Sequence, residues 1–139
     1  MDLDFSKFEC CHILVVGDLM IDEYLWGEVD RISPEAPVQI VAVDSEDYTL
    51  GGAGNVINNL TALGAKVTAA GVAGIGRNGQ LLLQKLQELS VDTAGIVKEP
   101  DRPTTMKTRI IAANQQVLRI DRETKKLYLM KLSIGWQVI

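Results

Sequence analysis

Three groups of residues carry chemistry suited to a small polyhydroxylated ligand. The first is Gly17-Asp18-Leu19-Met20-Ile21-Asp22. It follows the apolar run at 13–16, so Asp18 and Asp22 stand just past the C-terminal end of a predicted strand. Ligands of open α/β sheets sit at such ends, and a carboxylate there accepts hydrogen bonds from hydroxyls. A solvated strand end accounts equally for either acid alone. The second group is Gly51-Gly52-Ala53-Gly54-Asn55. Gly52 lets the backbone come close to a ligand, and the Asn55 amide both donates and accepts. A plain turn with Asn55 as helix cap fits the same residues. The third is Thr104-Thr105-Met106-Lys107-Thr108-Arg109, followed by Asn114-Gln115-Gln116 and Arg119-Ile120-Asp121. Lys107 and Arg109 alternate with other positions, so a strand presents both on one face.

A fourth pattern, Gly74-Ile75-Gly76-Arg77-Asn78-Gly79, matches G-x-G-x-x-G between a predicted strand and a predicted helix, with Glu99 placed further on. In a dinucleotide site such glycines let backbone N–H groups approach a pyrophosphate at a helix N-terminus. The motif lies deep in the chain, behind a β excursion that a dinucleotide-binding unit does not need. We therefore read it as a glycine-rich strand-to-helix turn.

The elements that must position these residues can be read from the hydropathy pattern. Residues 13–16 form a continuous apolar run, the mark of a buried strand. Residues 38–43 alternate with period two behind Pro34 and Pro37 and predict a second strand. Residues 50–54 predict a glycine-rich turn. Val56, Ile57, Leu60 and Leu63 then recur at helical spacing, and Gly64 is a natural stop. Residues 66–72 predict a strand. Leu81, Leu82, Leu83, Leu86 and Leu89 predict an amphipathic helix. Residues 104–112 and 116–121 predict two strands around a turn at 113–115. This order implies an α/β fold with a parallel sheet and an added β flap. Two helices and two core strands are fewer than a doubly wound sheet normally holds.

The chain has 139 residues, 47% hydrophobic and 23% charged, a globular composition that excludes general disorder. No apolar run reaches the roughly 18 residues a membrane span needs, and the acidic start is unlike a secretory signal. Cys10 and Cys11 are adjacent, which disfavours pairing with each other. With His12 alone beside them they do not make a metal site. Reduced thiols and a cytoplasmic location are expected. Net charge is −4, which argues against nucleic-acid binding. The charge is segregated, with twelve acids against Lys7 and Arg31 in residues 1–47, and eight bases against Asp121 and Glu123 in 102–131. The basic segment reads as a solvated strand face or as a site for an anionic small molecule.

The stretch from Gly51 through Gly64 to Gly74 resembles the first signature of the ribokinase-like carbohydrate kinases. Ile57 departs from it, standing where a small residue is usual, and Gly76 stands where the family has an acid. Arg31-Ile32-Ser33-Pro34-Glu35-Ala36-Pro37-Val38 and Asn114-Gln115-Gln116 resemble, more narrowly, the branch that phosphorylates heptose 7-phosphate. The likeness covers residues 10–123 and leaves 124–139 as a divergent tail. It implies α/β architecture, the N-terminal part of a ribokinase-like three-layer sandwich with a small β-sheet lid (strands about 22–50 and 96–121). It implies phosphorylation of the heptose 7-phosphate at C1, for ADP-heptose and lipopolysaccharide core synthesis. By matched position Asp22, Gly52 and Asn55 bind the sugar, with Asp18 a neighbouring candidate. Lys107 and Arg109 are candidates for the 7-phosphate, with Asn114 and Gln115 on the same flap. A homodimer through the lid strands is implied, and no nucleic-acid or membrane partner. ATP and Mg2+ are implied for the full-length family. The family's G-A-G-D motif, which carries the ATP site and catalytic base, is absent from this sequence, so no residue here is expected to be catalytic and none to bind metal. The readings left open are an inactive kinase fragment, a sugar-phosphate-binding or dimerisation module, and a fragment of another sugar kinase.

Overall fold

In the computed structural model, residues 6–124 are described. A short 3-10 helix over Ser6–Cys10 leads into β1 (His12–Val16), β2 (Leu19–Ile32) and β3 (Gln39–Gly52). Helix α1 (Ala53–Ala62), β4 (Lys66–Gly74), α2 (Arg77–Glu88) and β5 (Asp92–Glu99) follow, then β6 (Thr105–Ala112) and β7 (Gln115–Arg122).

The strands form two sheets. A parallel sheet has the order β1-β4-β5, and a four-stranded flap has the order β3-β2-β6-β7. Thus the parallel sheet has a third strand among the described residues, where the hydropathy pattern showed two. Residues 96–99 belong to that strand, β5, and the second half of the flap starts at Thr105. The expected loop at 50–54 is also replaced. Leu50, Gly51 and Gly52 pair with Ile21, Met20 and Leu19 as the end of β3, and α1 begins directly at Ala53. Apart from Thr124, the expected divergent tail lies outside the described residues.

Both helices pack on one face of the parallel sheet. Ile57 from α1 and Leu82 and Leu86 from α2 share a core with Val15, Val67, Ala69 and Ala73. Ile21 and Leu50 carry the same core into the root of the flap. Burying each large aliphatic side chain contributes about 1.5–3 kcal/mol, so this cluster fixes the flap to the sheet. The opposite sheet face is bare among the described residues. Leu14 and Val16 are 53% and 70% exposed there. Beyond its root the flap has water on both sides, and every residue of β7 is exposed.

Two local devices set the chain's course. Gly52 has φ 58° and ψ −127°, and a Cβ there would lie 2.6 Å from the Asp18 carbonyl oxygen. Only glycine takes this conformation cheaply, and it turns β3 into α1 without a loop. At the flap tip, Ala113 and Asn114 have φ of 50° and 59°. That is a two-residue hairpin with both central residues left-handed. Gln115 is therefore the first residue of β7, paired with Ala112.

Candidate functional site

The cleft at the flap root has a volume of about 490 Å³. Asp22, Gly52 and Asn55 all line it, joined by Tyr24, Tyr48, Thr49, Asn58, Lys85 and Glu88. The elements explain the convergence. Asp22 points off β2 beside the end of β3, and Asn55 and Asn58 lie one turn apart on α1. Asn55 is not a cap, since the cap position of α1 is Gly52 with no side-chain hydrogen bond. Its amide has no partner among the described residues and is open to the cleft.

The Asp22 carboxylate is held on two sides. Its Oδ2 occupies the space over Gly51, where a Cβ would come within 2.6 Å. Its Oδ1 accepts a 2.6 Å charge-assisted hydrogen bond from Nη1 of Arg109. Arg109 in turn lies over the Tyr24 ring, 5.3 Å from its centroid, within cation–π range. The Asp22 hydrogen bond raises the Arg109 guanidinium above its ordinary value, against the lowering effect of burial. Lys107 is the register neighbour of Asp22 across the β2–β6 pair. Among the described residues it makes no ion pair.

The other flap face carries a second polar group. The Thr108 hydroxyl donates to the Glu23 carboxylate, and Arg122 Nη1 donates to Thr108 Oγ1 at 2.9 Å and lies 3.8 Å from Glu23 Oε2. Tyr48 is the register partner of Glu23. Its phenol is raised above the ordinary 10.0, first by burial and then by the Glu23 carboxylate, which attracts the hydroxyl proton. The acidic and basic segments that lie far apart in sequence are thus adjacent in the flap. β2 brings the acids and β6 and β7 bring the bases.

Other candidates fall elsewhere. Asp18 contributes its backbone, since its carbonyl accepts the Ala53 N–H at 2.9 Å, while its exposed carboxylate does not line the cleft. Asn114 lines a separate groove at the flap tip with Trp26 and Asp44, and Gln115 is exposed beside it. The Gly27–Ala112 pair is the far end of the β2–β6 pairing, about 17 Å from Asp22 at five residues of strand rise. Asn114 and Gln115 are therefore not brought together with Asp22. Lys85, Glu88, Asn58 and Tyr48 were not singled out from sequence. Lys85 and Glu88 are three apart on α2, a helical-face signal, but so is any solvated helix face.

Two glycines of the G-x-G-x-x-G stretch, Gly74 and Gly79, are taken up by packing. A Cβ at Gly74 would meet the Arg102 carbonyl at 2.1 Å, and one at Gly79 the Gly74 carbonyl at 1.8 Å. The Gly74 N–H is bonded to Thr104 Oγ1 at 2.8 Å. These glycines serve the packing of β4, α2 and the 102–104 segment. Cys10 and Cys11 are free and exposed, and His12 Nε2 bonds Thr68 Oγ1 at 2.8 Å. Among the described residues no group of three His, Cys, Asp or Glu side chains is placed to hold a metal. Nor is any helix among them long and apolar enough to cross a membrane.

The combination of a helix-covered parallel sheet, a β flap rooted beside its first strand, and a polar cleft between them defines a ribokinase-like sugar-kinase fold. Solved structures agree. The chain is similar to a putative ribokinase from Agrobacterium tumefaciens, with TM-score 0.63 and 21% identity over 81% of this chain and 36% of that one. It is also similar to Arabidopsis thaliana ribokinase complexed with ribose and ATP, with TM-score 0.61 and 16% identity over 82% of this chain and 35% of that one. The pfkB family carbohydrate kinase pattern matches residues 12–137, and the chain belongs to that family. Among curated relatives, the bifunctional protein HldE of Desulfatibacillum aliphaticivorans is 65% identical over 88% of this chain and 25% of its own length. That of Trichlorobacter lovleyi is 60% identical over 88% of this chain and 25% of its length. The chain spans about a quarter of the length of these relatives.

Proposed function

We propose that this chain forms the acceptor-binding part of a kinase that phosphorylates D-glycero-β-D-manno-heptose 7-phosphate at C1. The product would enter ADP-heptose and lipopolysaccharide core synthesis in the cytoplasm. The observation that carries the reading is the convergence of Asp22, Gly52 and Asn55 on one cleft with Arg109 bound to Asp22. Asp22 accepts hydrogen bonds from sugar hydroxyls, Asn55 donates and accepts, and the Gly52 backbone allows close approach. The cations on the Asp22 face of the flap, Lys107 and Arg109, meet the 7-phosphate. The relatives named HldE support the heptose branch over other sugar kinases.

ATP and Mg2+ would supply the transferred phosphoryl group and its charge neutralisation. Residues outside 6–124 would hold them. No G-A-G-D stretch occurs in the 139 residues, so this polypeptide by itself is proposed to bind the acceptor without phosphoryl transfer. The test is calorimetric titration with heptose 7-phosphate alongside an ATP turnover assay. Binding without turnover is expected. Absence of heptose 7-phosphate binding would reject the site, and turnover by pure chain would reject the inactive reading.

A second reading, dimerisation through the flap, rests on the fully exposed β7 edge with Val117, Leu118 and Ile120 on its surface. Such an edge is a template for pairing with another strand. A monomer at all concentrations would reject it.

A further inference from the structure

We propose that the Asp22–Arg109 pair is a latch that discriminates phosphorylated from neutral sugars. The inference rests on the acceptor-site reading above and names what selects the substrate there. The residue placed to accept sugar hydroxyls and a residue placed to bind phosphate neutralise each other, at 2.6 Å. Asp22 is thereby withheld from a neutral sugar, which has no group able to take Arg109 away.

The way Arg109 is held makes exchange feasible. It contacts Asp22 through Nη1 alone, and its remaining N–H donors have no acceptor among the described residues. A carboxylate bound through one N–H is a weaker partner than a phosphate taken by the planar fork in two parallel bonds. Tyr24 under the guanidinium keeps it at the flap face through the exchange. Lys107, beside Asp22 in register and without an ion pair, adds a second cation for the incoming dianion. Once phosphate occupies Arg109, Asp22 Oδ1 is released to the hydroxyls. Oδ2 needs no movement, because the space over Gly51 already holds it.

The experiment uses the 139-residue chain and calorimetric titration with three probes. These are D-glycero-D-manno-heptose 7-phosphate, the same heptose without phosphate, and inorganic phosphate. The latch predicts that Arg109→Met binds neutral heptose about tenfold tighter than the parent, because Asp22 is freed, while losing affinity for the phosphorylated sugar. It predicts that Asp22→Asn binds inorganic phosphate about tenfold tighter than the parent, because Arg109 is freed. A residue that merely contacts phosphate gives the loss in Arg109→Met without the gain. Unchanged or weaker neutral-heptose binding in folded Arg109→Met overturns the latch. If Arg109→Met does not fold, the phosphate arm on Asp22→Asn decides, and unchanged phosphate affinity there overturns it. Tighter phosphate binding by Asp22→Asn, with no heptose 7-phosphate binding by the parent, rejects the sugar site while keeping the cation exchange.

Discussion

Gly79, in the first turn of α2, packs so closely on Gly74 at the end of β4 that a Cβ on the former would lie 1.8 Å from the latter's carbonyl oxygen. The neighbouring Gly76 has nothing within 4 Å of its Cβ position. The same short motif thus contains two glycines that the packing requires, Gly74 and Gly79, and one that it does not, Gly76.

Gly79→Ala is therefore expected to destabilise the chain by about 1–3 kcal/mol, the usual cost of overpacking against backbone. Gly76 is the cap residue of α2 in extended conformation, without a side-chain cap. Gly76→Asp is expected to stabilise by a few tenths to about 1 kcal/mol, by capping α2 and placing a negative charge at its N-terminus. Urea unfolding midpoints check both. A neutral Gly79→Ala would show that the close approach is not a feature of the folded protein.

Tyr48 gives the flap an alkaline limit. The folded protein holds the phenol proton more tightly than the unfolded chain does, because burial and Glu23 both disfavour tyrosinate. The resulting stabilisation is whole below pH 10.0, the ordinary value, and is lost as pH climbs through the raised folded value. The parent should lose more stability than Tyr48→Phe across that alkaline window. Thermal midpoints of the two proteins, measured side by side against pH, check this. Parallel curves would contradict it.

The bare sheet face should drive association. Leu14 and Val16 share it with Val97, which is 45% exposed, and contiguous apolar surface of this kind promotes contact between molecules. Leu14→Thr combined with Val16→Thr is expected to reduce concentration-dependent association, with a stability change within about 0.5 kcal/mol because both sites are exposed. Sedimentation velocity over a concentration series reads the effect. Unchanged association would move the contact elsewhere, the β7 edge being the obvious place.

What the sequence revealed depended on where periodicity survives. The 13–16 run, the 66–72 strand and both helices were legible because one side of each is buried. β5 was not. Its sequence Asp92-Thr93-Ala94-Gly95-Ile96-Val97-Lys98-Glu99 mixes charges with a glycine, and it pairs only with β4 as an edge strand. The full length of β2 and β3 was hidden for another reason. Beyond their root both flap faces meet water, so no alternation marks them, and Asp22 and Glu23 count against a strand until β6 and β7 supply Arg109 and Arg122. Asp22, Gly52 and Asn55 were legible through local pattern. The Asp22–Arg109 pair spans 87 residues of sequence, and no local pattern encodes a contact of that kind. Lys85 and Glu88 stayed hidden because a polar helix face looks the same whether it lines a cleft or meets solvent.

The two acids after β1 should separate by function. Asp22 lines the cleft with its carboxylate, whereas Asp18 acts through its carbonyl, which receives the Ala53 N–H and fixes the start of α1. A side-chain substitution at Asp18 leaves that carbonyl in place. Asp22→Ala removes charged hydrogen-bond acceptors from the sugar, worth about 1.5–3 kcal/mol, a loss that the freed Arg109 offsets by about tenfold in affinity, so heptose 7-phosphate binding should weaken by up to about tenfold. Asp18→Ala should leave affinity within about twofold and stability within about 0.5 kcal/mol, as for an exposed side chain without partners. Titrations of both variants against the parent test the assignment. Tighter heptose 7-phosphate binding by Asp22→Ala than by the parent would remove Asp22 from the acceptor site. A larger loss for Asp18→Ala would show that the loop after β1, not the flap root, holds the sugar.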